Sequence, residues 1–72
     1  MPELTEIQKN VCRFIQDHSA QKGFPPTRVE IAEKFGWRSP NAAEVHIQAL
    51  KKKGVVSSIP GYARTLRVLI SI

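Results

Sequence analysis

Asn41, Glu44, Val45, Gln48 and Lys52 are spaced so that, at ~100° per residue, they share one face of a helix. Their side chains match the edges of base pairs. Asn and Gln each pair a donor with an acceptor, as adenine requires. A carboxylate accepts from the amino group of cytosine, and a small apolar group packs on the thymine methyl. The opposite face carries Ala43, Ile47 and Leu50, with His46 at its edge, and so has the apolar stripe of a helix packed on a core. An ordinary solvated helix would also be polar outside. The Ser39-Pro40 start and the Lys51-Lys52-Lys53 end favour a helix that lies against a polyanion.

The segments around that helix position it. Thr27 is a good N-cap and Glu30 completes a capping box, so a short helix is predicted over 28–35 with Ile31, Ala32 and Phe35 turned to the core. Gly36 stands where a left-handed residue ends such a helix. Ser39 is expected to cap the next helix, over 40–53, with Pro40 at its first position and Gly54-Val55 ending it. Two helices joined by a turn of about four residues make a helix-turn-helix. Trp37 is expected to plug the corner between them.

Upstream, a helix is predicted over 6–21, capped by Thr5 and Gln8. Ile7, Val11, Phe14, Ile15 and His18 form its apolar stripe, with His18 at the core edge. Gly23 stops it, and Phe24-Pro25-Pro26 is a stiff connector. After Gly54 the apolar period becomes two, predicting strands over 55–59 and 64–70. Pro60-Gly61 suits the centre of a type II turn. The hairpin makes a wing with Tyr62 and Arg64 near its tip. Arg64 is expected to reach phosphate or a minor groove; Tyr62 can stack, hydrogen-bond or cover the hairpin. The expected fold is mainly α with a small β-hairpin: a winged helix-turn-helix of three helices and a two-stranded wing, residues 1–72 forming a single domain.

Charge is unevenly placed. Residues 1–36 balance Lys9, Arg13, Lys22, Arg28 and Lys34 against Glu3, Glu6, Asp17, Glu30 and Glu33. The net charge of +5 therefore comes from Arg38, Lys51, Lys52, Lys53, Arg64 and Arg67, opposed by Glu44 alone. Such an excess beside a helix-turn-helix is the footprint of a polyanion partner. The lone Cys12 excludes an internal disulfide and a Cys-based zinc finger; it is expected to be a reduced thiol on a helix flank. No apolar run approaches the ~20 residues of a membrane span, and the start MPELTEIQKN lacks the regions of a signal peptide. No paired carboxylates, phosphate loop or metal cluster stands out, so neither enzymatic activity nor a cofactor is expected.

Pro25-Pro26-Thr27-Arg28, Glu30-Ile31-Ala32, Arg38-Ser39-Pro40-Asn41-Ala42-Ala43-Glu44, His46, Ala49-Leu50 and Lys53-Gly54-Val55 resemble the N-terminal DNA-binding domain of LexA-type repressors of the SOS response. The similarity runs from about Leu4 to Leu69. It implies a three-helix winged fold whose third helix enters the major groove of an operator, contacts from Ser39, Asn41, Ala42 and Glu44, and a wing near the minor groove. Full-length members carry a second, self-cleaving domain with a Ser-Lys dyad and an Ala-Gly scissile bond. This chain has no Ala-Gly dipeptide and no room for that domain.

The resulting expectation is sequence-specific binding of double-stranded DNA by a transcriptional repressor or its DNA-binding domain. Ser39, Asn41, Ala42, Glu44, Val45 and Gln48 would read bases; Arg28, Arg38, Lys52, Lys53 and Arg64 would hold the backbone. The partner would be double-stranded DNA as an inverted-repeat operator, with a homodimer on DNA as one option, in the bacterial or phage-infected cytoplasm at the nucleoid, with no membrane involved. The alternative is a winged-helix protein-interaction module, or a stand-alone regulator of a LexA-like repressor, favoured by outward Val45 and the apolar end Leu69-Ile70-Ser71-Ile72. That apolar end leans towards a natural terminus or a close truncation, and offers a strand for pairing between chains. Val45 stands where the family commonly has a second carboxylate, so the usual CTGT half-site is expected to change at one base pair. The wing tip also departs from the family's small, glycine-rich one.

Overall fold

The computed structural model describes residues 3–59, 62 and 64–70. Three helices, α1 (Glu6–Lys22), α2 (Arg28–Phe35) and α3 (Pro40–Lys52), precede two strands, β1 (Val56–Ser57) and β2 (Arg67–Val68). Both predicted capping boxes form. The Thr5 hydroxyl accepts from the backbone N–H of Gln8, while the Gln8 side-chain Oε1 accepts from Thr5 N–H, each at 3.1 Å. Thr27 and Glu30 do the same for α2, at 3.2 and 2.8 Å. Each box satisfies donors that a helix start leaves open.

The ends of α2 and α3 are alike. Gly36 and Gly54 take φ of 71° and 74°, the left-handed region that costs glycine least. Trp37 N–H then donates to Ala32 O, and Val55 N–H to Leu50 O. These bonds complete Schellman closures that use the last carbonyls and turn the chain sharply after each helix. Ser39 holds the N-cap position of α3 but makes no side-chain cap bond, contrary to expectation. Pro40 at the first position has no N–H to satisfy, which lightens the demand for a cap.

Val11, Cys12 and Ile15 of α1 meet Ile31 and Ala32 of α2, Ala43, Ile47 and Leu50 of α3, and Val55, Val56 and Leu66 of the hairpin in one core. The buried side of α1 is turned towards Gln8 and Cys12. Ile7, placed on the stripe by sequence, is 47% exposed, and Cys12 is fully buried instead of flanking the helix. The hairpin packs on this side of α1 further along: β2 and β1 lie against α1 and α3 respectively, and Gln16 Nε2 donates to Ile70 O at 3.2 Å. Burial pushes the Cys12 thiol above its ordinary pKa, as it does for any acid whose ion loses water.

The hairpin is antiparallel, with Val56 opposite Val68 and Ser57 opposite Arg67. Leu69 N–H donates to Val55 O at 2.7 Å. The ladder is shorter than the predicted 55–59 and 64–70. Where it would continue, the Thr65 side chain takes over: its hydroxyl accepts from Ile59 N–H at 2.9 Å and donates towards the carbonyls of Ile59 and Tyr62. Arg64 is left-handed, with φ of 59°, a conformation strands do not use. The proposed Pro60-Gly61 turn lies outside the described residues, as does the Ser71-Ile72 end. Among the described residues, no helix is long and apolar enough to cross a membrane.

Candidate nucleic-acid interface

α2 and α3 pack on each other, leaving the outer face of α3 uncovered. Asn41, Val45, Gln48 and Lys52 are exposed on it. Val45 is 66% exposed, a large fraction for a valine in a domain this small, so the helical phase read from sequence holds. Ala42 and Glu44 are half-buried on the flanks of this face, and Glu44 meets Arg28 of α2. Ser39, also half-buried, keeps its hydroxyl out of any cap bond at the start of this face. The positive end of the helix dipole lies there as well.

Trp37, Phe35 and His46 brace the turn. The indole stacks between the Phe35 ring, 4.9 Å away, and the His46 ring, 4.8 Å away. Trp37 thus fills the corner expected of it. Phe35 continues edge-on to Phe14 of α1 at 6.1 Å. Aromatic pairs of this kind add to area burial, so the turn before α3 is fixed from both sides.

Charged side chains behave less simply than their sequence suggests. Arg28, at the start of α2, donates through Nε to Glu44 Oε2. Gln48 Nε2 donates to the other oxygen, Oε1, at 2.5 Å. Lys53 turns away from the outer face of α3: its ammonium donates to Glu3 O at 2.6 Å and to Gln8 Oε1 at 2.7 Å. It thereby joins the end of α3 to the start of α1. Arg38 and Lys52 are exposed.

Arg64 is tied to the body of the domain. Its Nη1 donates to Glu30 Oε1 at 2.8 Å and to Pro25 O at 3.3 Å. Its guanidinium lies 4.5 Å from the centre of the Phe24 ring, within cation–π range. Glu30 therefore serves twice, capping α2 and holding the wing. The Thr27 backbone N–H, followed by Arg64, keeps the Glu30 carboxyl below the usual carboxylate range. His18, half-buried beside it, donates from Nδ1 to Phe24 O at 2.9 Å, and so acts as a strut at the core edge. Tyr62 is 70% exposed at the wing.

Sequence reasoning thus found the helix face but missed three long-range partnerships: Arg28 with Glu44, Arg64 with Glu30, and Lys53 with Gln8. No local pattern signals them. Glu30 and Gln8 were visible only as capping residues.

The chain is similar to known proteins over nearly its whole length. The family model described as LexA DNA binding domain matches residues 1–65. A LexA repressor of Pectobacterium carotovorum subsp. carotovorum (strain PC1) is 51% identical over 70 residues, covering 97% of this chain and 35% of that protein. The chain thus spans about a third of that relative's length. With the helix-turn-helix, the exposed face of α3 and the hairpin in place behind it, this chain belongs to the LexA DNA-binding domain family.

Proposed function

We propose that the domain binds double-stranded DNA sequence-specifically, as a transcriptional repressor or the DNA-binding part of one acting in the bacterial cytoplasm on an SOS-type operator. The observation that carries this reading is the uncovered face of α3, where Asn41, Val45 and Gln48 are exposed beside Glu44. The face enters the major groove. Ser39, Asn41, Ala42, Glu44 and Val45 meet base edges there, with Gln48 at the C-terminal end of the row. Arg38 and Lys52, exposed in the basic half, hold phosphates and set the register. Lys53 and Arg64 act mainly inside the domain, fixing α3 and the wing, because both already have protein partners.

The test is selection of bound sequences from a random duplex pool, followed by titration of the preferred and a scrambled site at two salt concentrations. An electrostatic contribution makes affinity fall steeply with salt. Asn41→Ala is expected to weaken the preferred site by ~1–3 kcal/mol while leaving scrambled DNA nearly unaffected. Equal losses on both sites would remove Asn41 from the readers. The competing reading, a protein-docking module, draws on exposed Ile59, Tyr62 and Leu69. Salt-insensitive, sequence-independent behaviour towards DNA would favour it.

A further inference from the structure

We propose that Arg28 is a positioning residue for base reading: with the Gln48 amide, it fixes the Glu44 carboxylate so that Glu44 reads one base pair. This rests on the DNA-reading role of α3 proposed above and assigns Arg28 a part beyond the phosphate contact suggested by its charge. The two donors come from different elements. Arg28 stands at the first position of α2 and reaches Oε2; Gln48, one turn further along α3, reaches Oε1. The Arg28 and Glu44 side chains are both about two-thirds covered, at 30% and 34% exposure.

A carboxylate on a helix surface normally samples several rotamers. Here its plane is set from two sides. Bracing does not use up its capacity, because an ionised carboxylate offers about four lone-pair sites and the two protein donors take one on each oxygen. A cytosine amino group needs only one of the remainder. Arginine suits this task because its planar guanidinium donates in a fixed direction, which a lysine ammonium does not. No neighbour can substitute for a misaligned Glu44. It is the single acidic residue of α3, and the next position is Val45.

The experiment measures base preference at every operator position, from the same random pool, for wild type, Glu44→Gln, Arg28→Ala, Arg28→Lys and the double variant Arg28→Ala/Glu44→Gln. Melting curves accompany each protein. Glu44→Gln is expected to flatten the preference at one base pair. Arg28→Ala should flatten the same base pair by roughly tenfold, within the range of a single base contact, and leave the other positions unchanged. The double variant should lose no more there than Glu44→Gln alone, the non-additivity of two residues acting as one unit. Arg28→Lys, which keeps the charge and the salt slope, should show a smaller flattening at that same position. If Arg28→Ala weakens all sequences alike, or sharpens the preference by releasing Glu44, the positioning role is overturned while Glu44 remains a reader. If Glu44→Gln alters no preference, the reading role of Glu44 falls and this inference falls with it.

Discussion

Val45 is an apolar residue on the uncovered face of α3. It is two-thirds exposed on α3, so it loses the stabilisation that a buried valine has. A thymine methyl in the major groove is a fitting cover. Val45→Glu is therefore expected to leave the fold within ~0.5 kcal/mol of wild type, as for surface changes elsewhere, and to change base preference at one position only. Melting curves and selection from one random pool check both halves. Unchanged preferences would end its reading role, and an unfolded variant would contradict the observed exposure. Residue-level legibility was mixed. Outward Asn41, Val45 and Gln48 followed from helical periodicity alone. The bonds that occupy Glu44, Lys53 and Arg64 did not, because they join residues 16, 45 and 34 positions from their partners.

Among the elements, helices were legible because their signals are local. Two capping boxes and the glycines at 36 and 54 set ends that the structure reproduces within a residue or so. Gly54 tests this directly. A Cβ there meets no atom within 4 Å, so any penalty for Gly54→Ala comes from the left-handed backbone. The expected loss is ~1–2 kcal/mol, read from denaturant unfolding; no change would mean that the Schellman closure tolerates a side chain. The strands were legible in direction and partner but not in length. Their outer parts give way to Thr65 hydroxyl bonds and a left-handed Arg64, neither of which alternation of apolar residues reveals. The wing's attachment has its own signature. Glu30 titrates lower in the folded domain than in the unfolded chain. Below the ordinary carboxylate value of ~4.3, the unfolded chain therefore binds more protons, and the stability Glu30 contributes is lost as pH falls through its folded pKa. Arg64→Gln removes one cause of that shift. Its melting temperature should lie below wild type at neutral pH, and the gap should narrow in acid. Its DNA affinity should fall with an unchanged salt slope, whereas a lost phosphate contact would lower the slope by about one unit. A constant gap in melting temperature would detach Glu30 from the wing.

For the whole molecule, size and charge matter together. The domain measures 28 × 26 × 23 Å along its principal axes, shorter than the ~34–36 Å helical turn that separates half-sites of a two-fold operator. On the proposed reading, two copies are expected to sit on one face of the duplex at that spacing, each presenting one α3. The isolated chain is expected to occupy a single half-site weakly and to fill an inverted repeat at that spacing in two steps, resolved by mobility shift. Moving the half-sites by half a turn should abolish any gain from the second copy. A gain that survives the shift would indicate flexible linkage, not docking geometry.

The division of labour across α3 has a consequence for how such a domain can diversify. Ala43, Ile47 and Leu50 hold the fold, and Lys53 and the Trp37–His46 stack fix the helix in place. Asn41 and Val45, exposed on the far side, have no share in that core. If α3 reads bases as proposed, substitution at 41 or 45 is expected to change what is recognised while leaving the scaffold's stability almost untouched. Substitution at 28, 44 or 48 disturbs a shared network and is far more constrained. Drift in operator preference across descendants of this domain should therefore begin at 41 and 45, long before it reaches the braced carboxylate.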